Sequence, residues 1–367
     1  MSTARAHGGA VAAHGLPGAP PIPAAPIDAA GWAALSRVLV TERITPIASY
    51  AVADGAFATT DAQAAELREA HERAMSLALV LDRRLLGAGD LGAAGIDVRA
   101  LKGPAVARLD YPDPSWRGYG DVDLLVPGAS FDEAGRILIE HGATRRFAEV
   151  RPGFDARFGK AVTFVDEGGI QVDLHRTFAT GPFGLRIDLD ALYADREVVE
   201  VGGRSVATLG RRHRFLHACF HAALGDQVPR LLALRDVAQL VLATDLDLDA
   251  ARAEARTWGA EAVVARALAL AWADLGLAPH PVADWAGAYT PSARDARALA
   301  AYTSSDRSYA SQVAAGVSAV PGFTGKLAYV RALLLPDRRH IAGRDGTYRA
   351  RVRRALAARR VSRDGAA

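Results

Sequence analysis

Residues 101–126 read L-K-G-P-A-V-A-R-L-D-Y-P-D-P-S-W-R-G-Y-G-D-V-D-L-L-V, and this stretch decides the fold. It sets Asp121 and Asp123 at the head of an apolar strand, with Gly118 and Gly120 just before them. Residues i and i+2 of a strand point to the same face. The two carboxylates therefore project together, while Val122, Leu124 and Val126 turn the other way into a core. A second apolar strand, G-G-I-Q-V-D-L-H at 168–175, places Asp173 and His175 on one face and Val172 and Leu174 on the other. Two carboxylates on one strand and a third on its neighbour suit two divalent ions about 3.5–4 Å apart, the arrangement used for phosphoryl transfer. The trio has little structural use by itself, because like charges in a sheet repel unless a cation sits between them.

The 367 residues are enough for two domains plus tails. Half are hydrophobic and 23% are charged, which fits a globular body. Cys219 is the only cysteine, so an internal disulfide and a zinc site of paired cysteines are both excluded. No apolar run reaches the roughly 18 residues of a membrane helix, and the Ala-, Gly- and Pro-rich N-terminus lacks the apolar stretch of a signal peptide. The expectation is a cytoplasmic protein. Its net charge of +3 is unevenly placed: from Arg338 onward ten arginines face Asp345 and Asp364, giving +8 and leaving −5 for the rest. The body therefore does not read as a nucleic-acid binder. The Arg-rich tail, with a narrow stripe of Tyr348, Val352, Ala355 and Leu356, is either solvated or a contact for an acidic partner, RNA or an anionic membrane surface. It is expected to lie outside the chemistry.

Along the chain, residues 1–28 are expected to be disordered. Helices are expected over 30–40 and over 64–86, where Leu67, Ala74, Leu77, Ala78, Leu81 and Leu85 recur at helical spacing. Strands follow at 98–102 and 121–126, with a short helix at 105–109 between them. Ser130 is placed to cap a helix that Gly142 ends. A hairpin joins 161–165 to 170–174, and a second pair, 197–201 and 204–209, turns at Gly202-Gly203. Helices at 211–225, 229–244, 248–257, 259–275, 291–302 and 324–335 complete the pattern. The fold class is α+β: a small mixed sheet flanked by helices, then an all-helical C-terminal region. In sequence order the divisions are 1–28, 29–209, 210–335 and 336–367.

Lys102-Gly103 ends one strand and opens a helix, so backbone N–H groups there can meet phosphate oxygens, with Lys102 as a point charge. Arg117 either neutralises phosphate or pairs with a carboxylate. His213, His217 and His221 recur at four-residue spacing on one helix, but no H-E-x-x-H is present, and packing accounts for them better than zinc does. His221 is the one that can line a cleft. Asp226 and Asp236 either belong to the same cleft wall or sit at helix ends as solvated charges, and the second reading is preferred.

The three motifs V-R-A-L-K-G (98–103), W-R-G-Y-G-D-V-D-L-L-V (116–126) and Q-V-D-L-H (171–175) resemble those of the uncharacterised nucleotidyltransferase family within the DNA polymerase β-like superfamily. The likeness covers roughly residues 60–240. The wider superfamily usually carries Gly-Ser where this chain has Lys102-Gly103, in agreement with the closer family. The resemblance implies a nucleotidyltransferase core that takes a nucleoside triphosphate with two Mg²⁺ ions, Mn²⁺ being the alternative. Asp121, Asp123 and Asp173 are the expected metal ligands and catalytic residues. Lys102, Gly103, Arg117, Gly120 and His175 are the expected nucleotide contacts. A nucleoside monophosphate would pass to a hydroxyl of a small molecule, peptide or protein. The rival readings are a D-x-D glycosyltransferase, which would need a longer α/β section before the motif, and a non-catalytic nucleotide-binding or scaffolding module.

Overall fold

The fold is seen in a computed structural model that describes residues 2–305, 307–344, 346, 347, 349, 350 and 353. Seven strands form one mixed sheet: β1 (Arg99–Leu101), β2 (Val122–Leu125), β3 (Thr144–Arg145), β4 (Ala161–Val165), β5 (Gln171–His175), β6 (Arg196–Val201) and β7 (Arg204–Leu209). Their order is β3-β4-β5-β2-β1-β7-β6. β1 runs parallel to β7, whereas the β3–β4, β4–β5 and β6–β7 pairs are antiparallel. Among the described residues helices are the commonest element outside the sheet, including in the C-terminal region, so the α+β expectation holds. The chain folds as two compact units that interleave along the sequence. One comprises residues 1–89, 99–123 and 190–290, the other 90–98, 124–189 and 291–367.

In the first unit the apolar spacing of residues 64–86 produces the long helix Asp61–Leu86, which buries Leu67, Ala78, Leu81 and Leu85. Thr60 and Gln63 close its N-terminus reciprocally, each side chain bonded to the other's backbone N–H. The β6–β7 hairpin turns where expected. Gly202 and Gly203 both have positive φ, 54° and 75°, as a two-residue hairpin turn of this hand requires. Helices Arg211–Leu224, Leu231–Leu242 and Glu261–Leu275 are buried over most of their surface. Helices Thr45–Ala53 and Pro281–Ala288 escaped the periodicity analysis. The first has almost no polar face, so no alternation marks it.

The expected disorder of residues 1–28 is corrected by the helix Thr3–Ala13, whose Val11, Ala12 and Ala13 are fully buried. Small residues here serve close packing rather than solvation. A Cβ on Gly9 would lie 2.1 Å from the backbone oxygen of Asp274, so only glycine permits this approach. Buried Arg235 donates to the carbonyls of Ala12 and His14 at 2.7 and 2.6 Å, satisfying the helix's C-terminal acceptors. Arg5 ties the same helix to Glu42 and Asp274.

Glu66 accepts hydrogen bonds from Ser36 Oγ and Trp32 Nε1, both at 2.6 Å, joining the helices Ala29–Thr41 and Asp61–Leu86. These bonds, Ser36 first, hold its carboxyl below the ordinary carboxylate value. A carboxyl whose folded pKa is depressed contributes stability that is complete above its unfolded pKa of about 4.3 and is lost as pH falls through the folded value. Ser36→Ala is therefore expected to raise the midpoint of acid unfolding while changing stability at pH 7 by only about 1 kcal/mol. Circular dichroism between pH 7 and 2.5 measures both, and an unmoved acid midpoint overturns the assignment.

In the second unit β4 and β5 pair in full register, Thr163 opposite Asp173, and their buried Val162, Phe164, Val172 and Leu174 face the core. Ser130 stands at the N-cap of helix Phe131–Glu140, yet its side chain makes no capping bond. A satellite core of Phe154, Val320, Tyr329 and Ala332 packs the C-terminal helices. Helix Tyr309–Val317, closed by a capping box of Ser308 and Ser311, was not evident from the apolar pattern. The Arg-rich tail begins as a docked element: helix Arg338–Arg344 buries Ile341, and His340 Nδ1 lies 2.7 Å from the carbonyl oxygen of Ala148. Its expected apolar stripe at 348–356 lies outside the described residues. Among the described residues no helix is long and apolar enough to cross a membrane.

Candidate functional site

Within the first unit the strand-to-turn geometry gathers Lys102, Asp121 and Asp123. β1 ends in a tight reversal in which Lys102 and Gly103 both have positive φ, 31° and 43°. For a lysine this backbone costs on the order of 1–3 kcal/mol, so the surroundings must enforce it. The reversal brings Lys102 Nζ to 2.9 Å from Asp123 Oδ2 and 3.6 Å from Asp121 Oδ2. The side chain of Asp123 is 2% exposed and that of Asp121 24%, so one carboxylate is interior and the other reaches the surface. Burial works to lower the Lys102 pKa, but Asp123 and then Asp121 outweigh it, and the ammonium is held above its ordinary value. The cation demanded by the paired carboxylates is thus supplied, in part, by the protein. All four residues of β2 are buried, including Leu125 on the carboxylate face, so both faces of this strand are covered.

Gly120 has a specific use. A Cβ there would stand 2.9 Å from Arg43 Nη2, so glycine lets the guanidinium lie across the turn. Arg43 Nη1 is 4.0 Å from Asp121 Oδ1. Arg43 precedes helix Thr45–Ala53 and belongs to none of the three motifs, which is why sequence analysis missed it.

Arg117 takes the carboxylate pairing of its two open readings. Its Nε and Nη2 donate to Asp236 at 2.8 and 2.7 Å, and Tyr111 Oη donates to the same carboxylate at 2.8 Å. Asp236 is therefore corrected from a solvated helix end to a buried acceptor in the middle of helix Leu231–Leu242. Burial opposes the Arg117 charge, but Asp236 more than offsets it and raises the pKa. Arg117 Nη1 also reaches the carbonyl oxygen of Gly103 at 3.4 Å, bracing the Lys102-Gly103 turn. Beside these groups lies a small cleft of about 30 Å³, walled in part by Arg43, Lys102, Arg117, Asp121, His221 and Arg230. His221 lines a cleft as expected. His213 is a packing residue, fully buried, with Nε2 2.9 Å from Glu254 and its ring stacked on Trp258. Asp226 stays exposed and pairs with Arg230.

A second buried pair frames this unit. Arg214 donates to both oxygens of Asp110 at 2.9 and 2.8 Å, to Glu197 at 2.9 Å and to the Leu209 carbonyl at 2.7 Å. Burial raises the Asp110 pKa in spite of Arg214. Neither residue was singled out by motif or spacing.

In the second unit β5 presents Asp173 and His175 on one face, between the buried Val172 and Leu174. Thr163, its cross-strand partner on β4, donates to Asp173 Oδ1 at 2.5 Å and orients the carboxylate. His175 Nδ1 lies 3.4 Å from the carbonyl oxygen of Thr177. The ligand atoms of Asp173 and His175 lie within 4.8 Å of each other, a donor pair suited to a metal ion. Carboxylate oxygens are the donors that hard divalent cations prefer.

The model of the uncharacterised nucleotidyltransferase family matches residues 28–275, a wider span than the three motifs alone indicate. Comparison with curated protein sequences returns no match. Among solved structures, the crystal structure of an antigenic nucleotidyltransferase-like protein from Paracoccidioides brasiliensis is similar at 17% identity. That similarity covers 45% of this chain and 75% of that one, with a TM-score of 0.27.

Proposed function

The chain belongs to the uncharacterised nucleotidyltransferase family, and from that premise we propose that it moves a nucleoside monophosphate from a nucleoside triphosphate to an acceptor hydroxyl. The observation that carries this reading is the pair Asp121 and Asp123 at the head of β2, held against Lys102 at the strand-to-helix turn. A D-x-D glycosyltransferase is not favoured, since the family match spans all three motifs.

In this reading Asp121, Asp123 and Asp173 hold divalent cations, Mg²⁺ first and Mn²⁺ as the alternative, and His175 contacts the nucleotide. Bound ions would supply positive charge to the phosphates and lower the pKa of the acceptor hydroxyl. The residues fit such ions: the donors are carboxylate oxygens, and Lys102 already stabilises the negative charge of two of them. When a triphosphate binds, Lys102 and Arg43 neutralise its oxygens, and the backbone N–H groups after Gly103 orient them. Gly120 keeps the approach clear, and Arg117 acts indirectly by bracing Gly103. Asp173, oriented by Thr163, accepts the proton of the acceptor hydroxyl. The acceptor oxygen forms its bond to the α-phosphorus, the bond to the β-phosphate oxygen breaks, and pyrophosphate leaves. Most of the acceleration comes from positioning and charge neutralisation.

The test is Mg²⁺-dependent pyrophosphate release with each nucleoside triphosphate and a cell-extract acceptor pool. Release is expected with at least one nucleotide and is expected to stop when EDTA removes the metal. Wild-type protein that consumes no nucleotide with any acceptor fraction, in Mg²⁺ or Mn²⁺, leaves the binding-module reading in its place.

A further inference from the structure

The second unit contains a cavity of about 430 Å³ that none of the sequence motifs anticipated. This volume lies in the usual range for small-molecule sites, roughly 300–1,000 Å³. Its lining includes Thr163, Asp173 and His175 on β4 and β5, with the charged side chains of Asp155 and Lys160. The same lining holds four aromatic rings, Phe158, Tyr302, Tyr309 and Tyr329.

The aromatic walls are fixed in place. Tyr302 Oη donates to the Gln312 carbonyl at 3.3 Å, and Tyr309 Oη donates to the Leu333 carbonyl at 3.4 Å. Tyr302 also packs so closely on Gly181 that a Cβ there would stand 1.8 Å from its hydroxyl, and its ring meets Phe183 edge-on. Phe158 and Tyr329 are T-shaped at 5.4 Å, with Phe154 completing the cluster. Rings locked this way lose little entropy when a ligand stacks on them, and they prefer other aromatic rings.

We propose that this cavity is the acceptor site and takes a small aromatic alcohol, its ring among Phe158, Tyr302, Tyr309 and Tyr329 and its hydroxyl toward Asp173. The proposal rests on the nucleotidyl-transfer reading and adds the acceptor class to it. A lining that joins the Asp173 carboxylate to several aromatic rings suits a molecule that carries both a hydroxyl and an aromatic ring. The origin of the walls carries a further consequence. Thr163, Asp173 and His175 lie inside the family-matched segment 28–275, whereas Tyr302, Tyr309 and Tyr329 lie beyond it. Acceptor choice is thus set by the C-terminal helices, apart from the part of the chain that carries the transfer chemistry.

The experiment uses the full chain and 2-naphthol, a fluorescent aromatic alcohol, with cyclohexylmethanol and a tyrosine-containing peptide as comparisons. Saturable binding of 2-naphthol is expected without nucleotide, with much weaker binding of cyclohexylmethanol. Val313→Trp, which fills the cavity from the Tyr309–Val317 helix, is expected to weaken it about tenfold or more, the scale of a lost aromatic contact. Tyr309→Leu, a change at a half-exposed position, is a second variant that removes one ring and leaves an apolar side chain, and it is expected to weaken binding several-fold. Circular dichroism confirms that both are folded. Absence of saturable binding, equal binding of cyclohexylmethanol, preference for the peptide, or indifference to both substitutions overturns the proposal. Transfer assays separate it from the reading beneath it. If 2-naphthol binds as expected but no acceptor supports nucleotide turnover, the cavity's ligand class stands and nucleotidyl transfer fails. If turnover occurs and Val313→Trp leaves the KM of the acceptor unchanged, nucleotidyl transfer stands and the cavity is not its acceptor site.

Discussion

Asp123→Asn is expected to lower kcat for nucleotidyl transfer by about 10³-fold or more, since charge stabilisation by a bound cation is worth several kcal/mol and each tenfold corresponds to about 1.4 kcal/mol. The amide keeps the size of the side chain and removes the charge that attracts a cation. Stability is expected to move little, and downward. Relief of repulsion with Asp121 would favour the variant. The same change, however, takes from Lys102 its nearer partner, at 2.9 Å, and leaves only Asp121 at 3.6 Å. Single-turnover pyrophosphate release and thermal unfolding, measured on one preparation, check both parts. Equal release by wild type and variant removes Asp123 from the chemistry. A large loss of stability together with the loss of activity makes the Lys102 pair a structural element first.

Arg117→Met is expected to destabilise the first unit by about 3–5 kcal/mol, because it leaves Asp236 buried without its charged partner. Tyr111 remains as one hydrogen-bond donor, which is too little for a buried carboxylate whose other two bonds are gone. Arg117→Lys is expected to recover only part of the loss, since an ammonium lacks the fork that makes both bonds. The double variant Arg117→Met with Asp236→Leu is expected to be more stable than Arg117→Met alone, because it removes the stranded charge along with its partner. Urea denaturation of the four proteins measures this. An Arg117→Met protein of wild-type stability whose only defect is a raised KM for nucleotide would return Arg117 to phosphate binding and overturn the structural assignment.

Much of the fold was legible because its signals are local. Alternation over 170–175 and 121–126 specified strands, since a period of two leaves little choice of face. Three- and four-residue spacing over 64–86 specified the long helix, and Gly202-Gly203 specified a hairpin turn. Helix Thr45–Ala53 was not legible because it is buried nearly all round and carries no polar stripe to set its period. Residues 1–28 misled for a related reason. Composition rich in Ala, Gly and Pro describes solvated chain and close helix packing equally well, and only a contact such as Gly9 on Asp274 separates them.

The sequence by itself determined the family, the strand faces that carry Asp121, Asp123, Asp173 and His175, and the turn at Lys102-Gly103. Those properties follow from neighbours one to four residues apart. Tertiary structure alone decided which charges meet. Arg117 found Asp236 from 119 residues away, and Arg214 found Asp110 from 104. Lys102 settled on the two carboxylates at the head of β2, and Arg43 settled over Gly120. A buried ion pair has no periodicity, because its partners are chosen by the cost of leaving either charge alone in the interior, and that cost exists only once the chain has closed around them.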